Sequence, residues 1–154
     1  MSCHTEIIDE HGRLMARRTP PDGGDALRRE LELYNCIQHS TIMFRADRAR
    51  SLGGYRDRFV FSQDYDLYLR ALTAGWTFSV LPDVALKVRM TRDNITTVHR
   101  RRQLGFAMAA QADYFTREGA SPLRAMLAMR HHALRWALPD PLRRAKRRLT
   151  EAFR

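Results

Sequence analysis

The segment Ser62–Arg70 restricts the fold of this chain most strongly, because it places two carboxylates where a helix is predicted to begin. It follows a Gly53-Gly54-Tyr55 turn and carries Asp64 and Asp66. Free backbone N–H groups and the positive end of the helix dipole favour acids in a first helical turn. Such a position is suitable for a general base.

The helix itself is predicted from the spacing of its apolar residues and from the residues at its two ends. Tyr65, Leu69 and Leu72 recur on one face, Ser62 is the predicted N-cap, and Gly75 is predicted to end the helix. Residues two apart point about 200° away from each other around a helix. We therefore expect only one of the two aspartates to face a cleft. The alternative is that neither has a catalytic role and that both are present because the helix dipole favours acids in the first turn.

A wider set of motifs resembles the second half of the family-two glycosyltransferases. The order and spacing agree over about residues 3 to 98, and the motifs are His39–Arg45, Gly53–Tyr55, Gln63–Arg70, Leu81-Pro82 and Lys87–Met90. The resemblance implies an α/β fold, specifically a partial GT-A fold with a short mixed sheet and helices. The expected parts are residues 1–95 from this fold, a helical extension over 96–138, and a basic tail over 139–154.

The resemblance also implies roles for individual residues. Asp64 corresponds to the catalytic base, and Gln63 stands where an acid is usual in the family. Glutamine keeps the shape and hydrogen-bonding capacity of glutamate but removes its charge. The residues expected to contact substrate are Gln63, Asp66, His39, Arg70 and Arg89.

A divalent cation, Mg²⁺ or Mn²⁺, is expected for the complete enzyme, held through an Asp-x-Asp motif of the family's N-terminal half. Asp64-Tyr65-Asp66 has those letters, but its place after the glycine turn and before a helical run identifies it as the base motif. Thr91 stands where many relatives carry a histidine, and a hydroxyl is a poor ligand beside imidazole or carboxylate. We therefore assign no metal ligand within this chain and expect it to be a fragment that lacks the nucleotide half.

The predicted reaction is an inverting transfer of a sugar from a nucleotide-sugar donor to an acceptor hydroxyl. The resemblance associates it with the synthesis of cell-surface polysaccharide or glycolipid. Two cysteines, no secretory signal and no long apolar run favour a cytoplasmic location.

The C-terminal tail supports a second class of function. From Arg117 to Arg154 the ten basic and three acidic residues give +7 of the chain's +10, and residues 141–154 have the composition of a basic amphipathic helix. A solvated charged face, contact with the anionic inner membrane face and nucleic-acid binding all remain open, with nucleic acid the least expected. The alternative to the enzyme is a noncatalytic basic module that binds membrane or nucleic acid.

The remaining pattern predicts a hairpin over residues 4–14, with its turn at Glu10–Gly12, and several further elements. The methionines of the last helix are expected to fill the core. The other predicted elements are a helix over 26–34, strands over 39–45, 76–80 (ended by Pro82) and 84–90, a helical turn over 46–52, a helix from Thr96 or Thr97 to about Glu118, and a helix from Pro122 to Pro139.

Overall fold

A computed structural model describes residues 1–91 and 93–137 of the chain. Its sheet has the strand order β2-β1-β3, in which β1 pairs antiparallel with β2 and parallel with β3. The α/β class and the short mixed sheet are therefore confirmed. The elements are β1 (Ser2–Ile8), β2 (Leu14–Arg18), α1 (Gly24–Leu33), a 3-10 turn (His39–Thr41), α2 (Ala46–Ser51), α3 (Gln63–Thr73), β3 (Val80–Arg89), α4 (Ile95–Val98), α5 (Arg100–Arg117) and α6 (Pro122–Ala137).

The hairpin between β1 and β2 has the predicted turn. The Asp9 carboxylate accepts hydrogen bonds from the backbone N–H groups of His11 and Arg13, each at 2.9 Å. Gly12 has φ +84°, a conformation that glycine adopts without steric cost. The predicted hairpin is confirmed.

The core lies among helices α1, α3, α5 and α6. Leu27, Leu31 and Tyr65 are fully buried, and the Tyr65 hydroxyl donates to the Leu31 carbonyl at 2.6 Å. The amide of Gln111 on α5 donates to the Glu32 carbonyl at 2.7 Å, so α1 is also held to α5 through a buried polar contact. A single apolar cluster therefore supports the helix that carries the two aspartates.

Helix α3 has the predicted apolar face and the predicted glycine stop, but its N-cap differs from expectation. Tyr65, Leu69 and Leu72 are buried, and Gly75 has φ +74°. Ser62 has φ +60° and does not cap the helix with its side chain. Its hydroxyl donates instead to the Gln103 carbonyl on α5 at 3.0 Å, which fixes the start of α3 against α5.

Two predicted strands are wrong. Residues 39–45 form a 3-10 turn and an extended segment whose Met43 exchanges backbone hydrogen bonds with Met1, each at 2.8 Å. Residues 76–79 lie outside the sheet, and Pro82 lies within β3 rather than ending a strand. Proline has no N–H group to donate to a neighbouring strand, so a regular ladder excludes it. The β1–β3 register shifts beside His4, and such an irregularity leaves a position in β3 where no N–H is required.

The C-terminal helices also differ in part from expectation. The predicted helix from Thr96 or Thr97 is broken at His99, so that α4 is a single turn before α5. Met126 on α6 is 67% exposed, so the expectation that the methionines of this helix fill the core is wrong for that residue. Ala128 and His132 are the residues that α6 buries instead. The predicted basic helix over 141–154 lies outside the described residues.

Candidate functional site

Asp64 lies at the second position of α3, where two hydrogen bonds orient its carboxylate. Oδ1 accepts from the backbone N–H of Tyr65 at 2.8 Å, and Oδ2 accepts from the side-chain amide of Asn35 at 2.9 Å. Each carboxylate oxygen has two lone pairs, so each oxygen can still accept a further hydrogen bond. The group is half-buried and forms no ion pair within the described part of the chain. It is therefore held in place and remains able to accept a proton.

Asp64 opens on a cleft of about 220 Å³, which we call the Asp64 cleft. The wall comes from four parts of the chain: the end of β2, the segment after α1, the start of α3, and helices α4 to α6. Its polar lining residues are Arg18, Tyr34, Asn35, Gln38, His39, Ser62, Asp64, Tyr65, Thr96, Gln103, His132 and Arg135. The cleft thus combines a carboxylate with cationic, amide and hydroxyl groups.

His39 lines this cleft, as its predicted substrate role requires. Its Nδ1 lies 2.7 Å from the Tyr68 hydroxyl, and its Nε2 lies 3.2 Å from the Tyr55 hydroxyl. Burial raises the pKa of both phenols, so both hydroxyls remain protonated at neutral pH. The imidazole is therefore fixed between two hydroxyl groups at the edge of the Asp64 cleft.

Asp66 does not line the Asp64 cleft. Its side chain is 1% exposed, and its carboxylate accepts hydrogen bonds from Nε of Arg56 and Nε of Arg70, each at 3.0 Å. The Arg56 Nη2 atom donates to the same carboxylate and also to Asp113 at 3.1 Å. In this structure Asp66 is the centre of an ion-pair cluster rather than a group presented to substrate.

The other three predicted substrate residues also lie outside the lining of the Asp64 cleft. Arg70 donates to the Leu52 carbonyl at 2.5 Å and the Gly54 carbonyl at 2.6 Å, and so connects α3 to the paired glycines. Arg89 donates to the carbonyls of the β1–β2 turn, including Glu10 at 2.8 Å. Gln63 is exposed at the first position of α3, beside Asp64. The two arginines therefore hold turns in place.

A larger cavity of about 350 Å³ has no acidic residue in its lining. Met1, Met43, Trp76 and Phe78 give it an apolar wall, with Arg45 and Arg48 as its charged members. It has neither a carboxylate nor a histidine, the side chains that most often remove a proton from a hydroxyl. We therefore place the candidate site in the smaller Asp64 cleft.

The described residues do not match a divalent-metal site. Residues 1–91 and 93–137 contain no group of three or more histidine, cysteine, aspartate or glutamate side chains that could hold a metal ion. Asp64 and Asp66 diverge around α3, and Asp66 is already paired with arginines. We derive no chemical step through a metal. Over the same ranges, none of the helices has the length and apolar character needed to cross a bilayer.

Asn35 and Arg18 are among the polar members of the Asp64 cleft that sequence reasoning missed. Asn35 is 29 positions before the carboxylate that it orients, and no local spacing connects them. Arg18 is the last residue of β2, and its guanidinium donates to the Gln38 side chain at 3.1 Å. A polar residue two positions after a helix and an arginine at a strand end were the available signals, and both are common in proteins without a functional site.

Comparison with known proteins gives one similarity and two negative results. Over 104 residues the chain is 32% identical to the amylovoran biosynthesis glycosyltransferase AmsE of Erwinia amylovora. The match covers 62% of this chain and 38% of that protein, so the chain corresponds to well under half of the relative's length. No protein-family model matches the sequence, and no solved structure matches it. The chain is therefore similar to part of a glycosyltransferase of amylovoran biosynthesis.

Proposed function

We propose that this chain is the acceptor-side half of a family-two glycosyltransferase with the GT-A fold, and that Asp64 is its general base. The observation that carries the proposal is the Asp64 carboxylate, held by Asn35 and the Tyr65 N–H at the opening of a polar cleft. The similarity to a glycosyltransferase of amylovoran biosynthesis supports the same class of reaction. The product is expected to be a cell-surface polysaccharide or glycolipid.

The proposed chemistry is a single displacement with inversion at the sugar. An acceptor hydroxyl donates a hydrogen bond to a carboxylate oxygen of Asp64, and its oxygen attacks the anomeric carbon of the donor sugar. The carbon–oxygen bond to the nucleoside diphosphate breaks as the new glycosidic bond forms, and the proton moves to Asp64. A fixed base within hydrogen-bond reach typically accelerates such a step by about 10² to 10⁴.

We propose that the donor's nucleotide and the divalent cation are bound by a segment outside this chain. The match to AmsE covers 38% of that protein, so most of the relative's length lies outside the matched region. When bound, a divalent cation would neutralise the charge of the departing diphosphate. Within this chain, His39 and Gln63 remain the predicted substrate contacts, while Asp66, Arg70 and Arg89 hold the elements around them.

Asp64→Asn tests the proposal. The assay uses the protein as its gene encodes it, and measures nucleoside diphosphate release from a panel of nucleotide sugars in the presence of acceptor. We expect kcat to fall about a hundredfold or more, because the amide keeps the shape of the carboxylate but cannot take the proton.

Asp25→Asn is the matched control, because Asp25 is an exposed acid in the first turn of α1. This variant should keep wild-type turnover. Circular dichroism should show that both variants are folded. Equal turnover in Asp64→Asn and Asp25→Asn would refute the assignment of the base.

Helix α6 supports a peripheral location on the inner membrane face. Leu123, Met126, Leu127 and Leu134 share one side of the helix and are each at least half exposed. Arg130 lies within the same face, and the chain carries a net charge of +10. An exposed apolar stripe with basic residues is typical of helices that lie on anionic bilayers.

Sedimentation with anionic vesicles tests the membrane location. Leu127→Glu should weaken binding, and removal of residues 139–154 should weaken it further. Ala112→Glu, which adds the same charge to an exposed position of α5, is the control for the charge change. Vesicle binding unaffected by all these changes would count against the membrane surface. Steeply salt-dependent nucleic-acid binding would instead favour the noncatalytic basic module.

A further inference from the structure

Arg18 brings a guanidinium group into the lining of the Asp64 cleft. It is the last residue of β2, and its Nη1 atom donates to Oε1 of Gln38 at 3.1 Å. No aspartate or glutamate in residues 1–91 and 93–137 forms an ion pair with it. Its neighbour on the strand, Arg17, forms an ion pair with Glu6 at 3.1 Å. Arg17 therefore has an acidic partner, whereas Arg18 has none among the described residues.

The surroundings of Arg18 favour the arrival of an anion. Burial lowers the pKa of its guanidinium group. The negative charge of Asp64 raises that pKa in part, although the two side chains do not form an ion pair. An arginine stays protonated despite such a shift, so the charge remains in a partly desolvated place. Removing a charge from water without a partner is unfavourable, and an oxyanion in the cleft would relieve that cost.

Asn35 also lines the Asp64 cleft and orients its carboxylate. Its Nδ2 donates to Asp64, and its Oδ1 is buried and accepts no hydrogen bond from the described residues. Because that oxygen is enclosed by protein, Asn35 positions Asp64 and does not contact a ligand. The groups that the cleft presents to a charged ligand are the Asp64 carboxylate and the guanidinium groups of Arg18 and Arg135.

We propose that the Asp64 cleft recognises an acceptor that bears an oxyanion, a phosphate or carboxylate, close to its reacting hydroxyl. Arg18 binds the oxyanion, and Asp64 accepts a hydrogen bond from the hydroxyl that reacts. Guanidinium groups bind oxyanions through two parallel hydrogen bonds, which fixes the orientation of the ligand. This assignment of Arg18 rests on the function proposed for Asp64, but it can be tested without turnover.

The test is direct binding to the 154-residue chain at low ionic strength. The probes are glucose 1-phosphate, glucuronate and glucose, which share hydroxyl groups but differ in charge, and binding is followed by calorimetry and by amide NMR shifts. We expect one of the two anions to bind at least tenfold more tightly than glucose, with shifts at Arg18, Asn35 and Asp64. The preferred anion distinguishes a phosphate from a carboxylate.

Arg18→Gln should weaken binding of that anion at least tenfold, whereas Arg17→Gln, with the same change in charge on the same strand, should leave it within twofold. Arg18→Lys should give an intermediate affinity, and it replaces the glutamine variant if that variant does not fold. Equal losses in the two glutamine variants would indicate general attraction to a basic protein and would overturn the proposal. Glucose binding as tightly as either anion would also overturn it.

The two proposals fail in different ways. If Asp64→Asn abolishes transfer while Arg18→Gln leaves the KM of the acceptor unchanged, the oxyanion site is wrong and the base assignment stands. If Arg18-dependent anion binding is found but Asp64→Asn leaves turnover intact, the base assignment is wrong and the oxyanion site stands as a binding site alone.

Discussion

Replacing Asp66 with asparagine should destabilise the protein far more than the same change at Asp64. The Asp66 carboxylate is 1% exposed and is contacted by the guanidinium groups of Arg56 and Arg70. The Arg70 guanidinium is itself 10% exposed, so it lies in the interior with its partner. Asparagine would leave both cations without the negative charge that they surround.

The size of the effect follows from these surroundings. Removing one member of a buried ion pair costs about 3–5 kcal/mol. Arg56 is 21% exposed and keeps its contact with Asp113, and Arg70 keeps the carbonyls of Leu52 and Gly54. Because these contacts remain, we expect Asp66→Asn to lower the free energy of unfolding by about 3 kcal/mol, near the lower end of that range. Asp64→Asn weakens the hydrogen bond with the Asn35 amide, and it should cost about 1 kcal/mol.

Urea unfolding followed by circular dichroism measures both values. For a domain of this size, a loss of about 3 kcal/mol corresponds to a fall in Tm of roughly 6–12 °C. The double variant Asp66→Asn/Arg70→Gln should lose less than the sum of the two single variants, because the two groups interact directly. A loss for Asp66→Asn below about 1 kcal/mol, or one equal to that of Asp64→Asn, would refute a structural role for this ion-pair cluster.

Two further predictions concern stability. Burial lowers the pKa of His132 to about 4 from 6.5, so the unfolded chain takes up the proton at higher pH than the folded one. The free energy of unfolding should therefore fall by about 3 kcal/mol as the pH decreases from 6.5 to 4, and His132→Asn should flatten this part of a urea-unfolding pH series. An unchanged slope in the variant would contradict this. Gly23→Ala should lower the Tm by several degrees, because Gly23 has φ +148° and an added Cβ would lie 2.4 Å from the Phe78 carbonyl oxygen. An unchanged melting curve would show that the loop adjusts freely.

The parts of the fold that the sequence predicted are those decided locally. Helix α3 was predicted from the spacing of Tyr65, Leu69 and Leu72, and these residues are buried as expected. The hairpin turn followed from a glycine at the position that requires positive φ. Such signals lie within a few residues of each other, so they do not depend on what the rest of the chain does.

The errors arose where the outcome depends on a distant partner. The segment 39–45 has the composition of a strand, but among the described residues its long-range backbone hydrogen bonds join only Met43 to Met1, so no regular ladder forms. The apolar side of α6 has helical spacing, but periodicity does not show whether another element covers it. In the same way, the Asp66–Arg56 pair and the Asn35–Asp64 hydrogen bond join residues 10 and 29 positions apart, and only the tertiary structure reveals them.

Helical geometry separates the tasks of the two aspartates. Because they are two positions apart, Asp66 points into the ion-pair cluster with Arg56 and Arg70, while Asp64 opens on the cleft with Asn35. The cluster in turn fixes the Gly53-Gly54 turn through Arg70. Loss of Asp66 should therefore appear as lost stability, and in folded molecules turnover should decrease less than after loss of Asp64. If folded Asp66→Asn protein lost as much turnover as Asp64→Asn, the base would need both carboxylates, and the division of roles argued from the structure would be wrong.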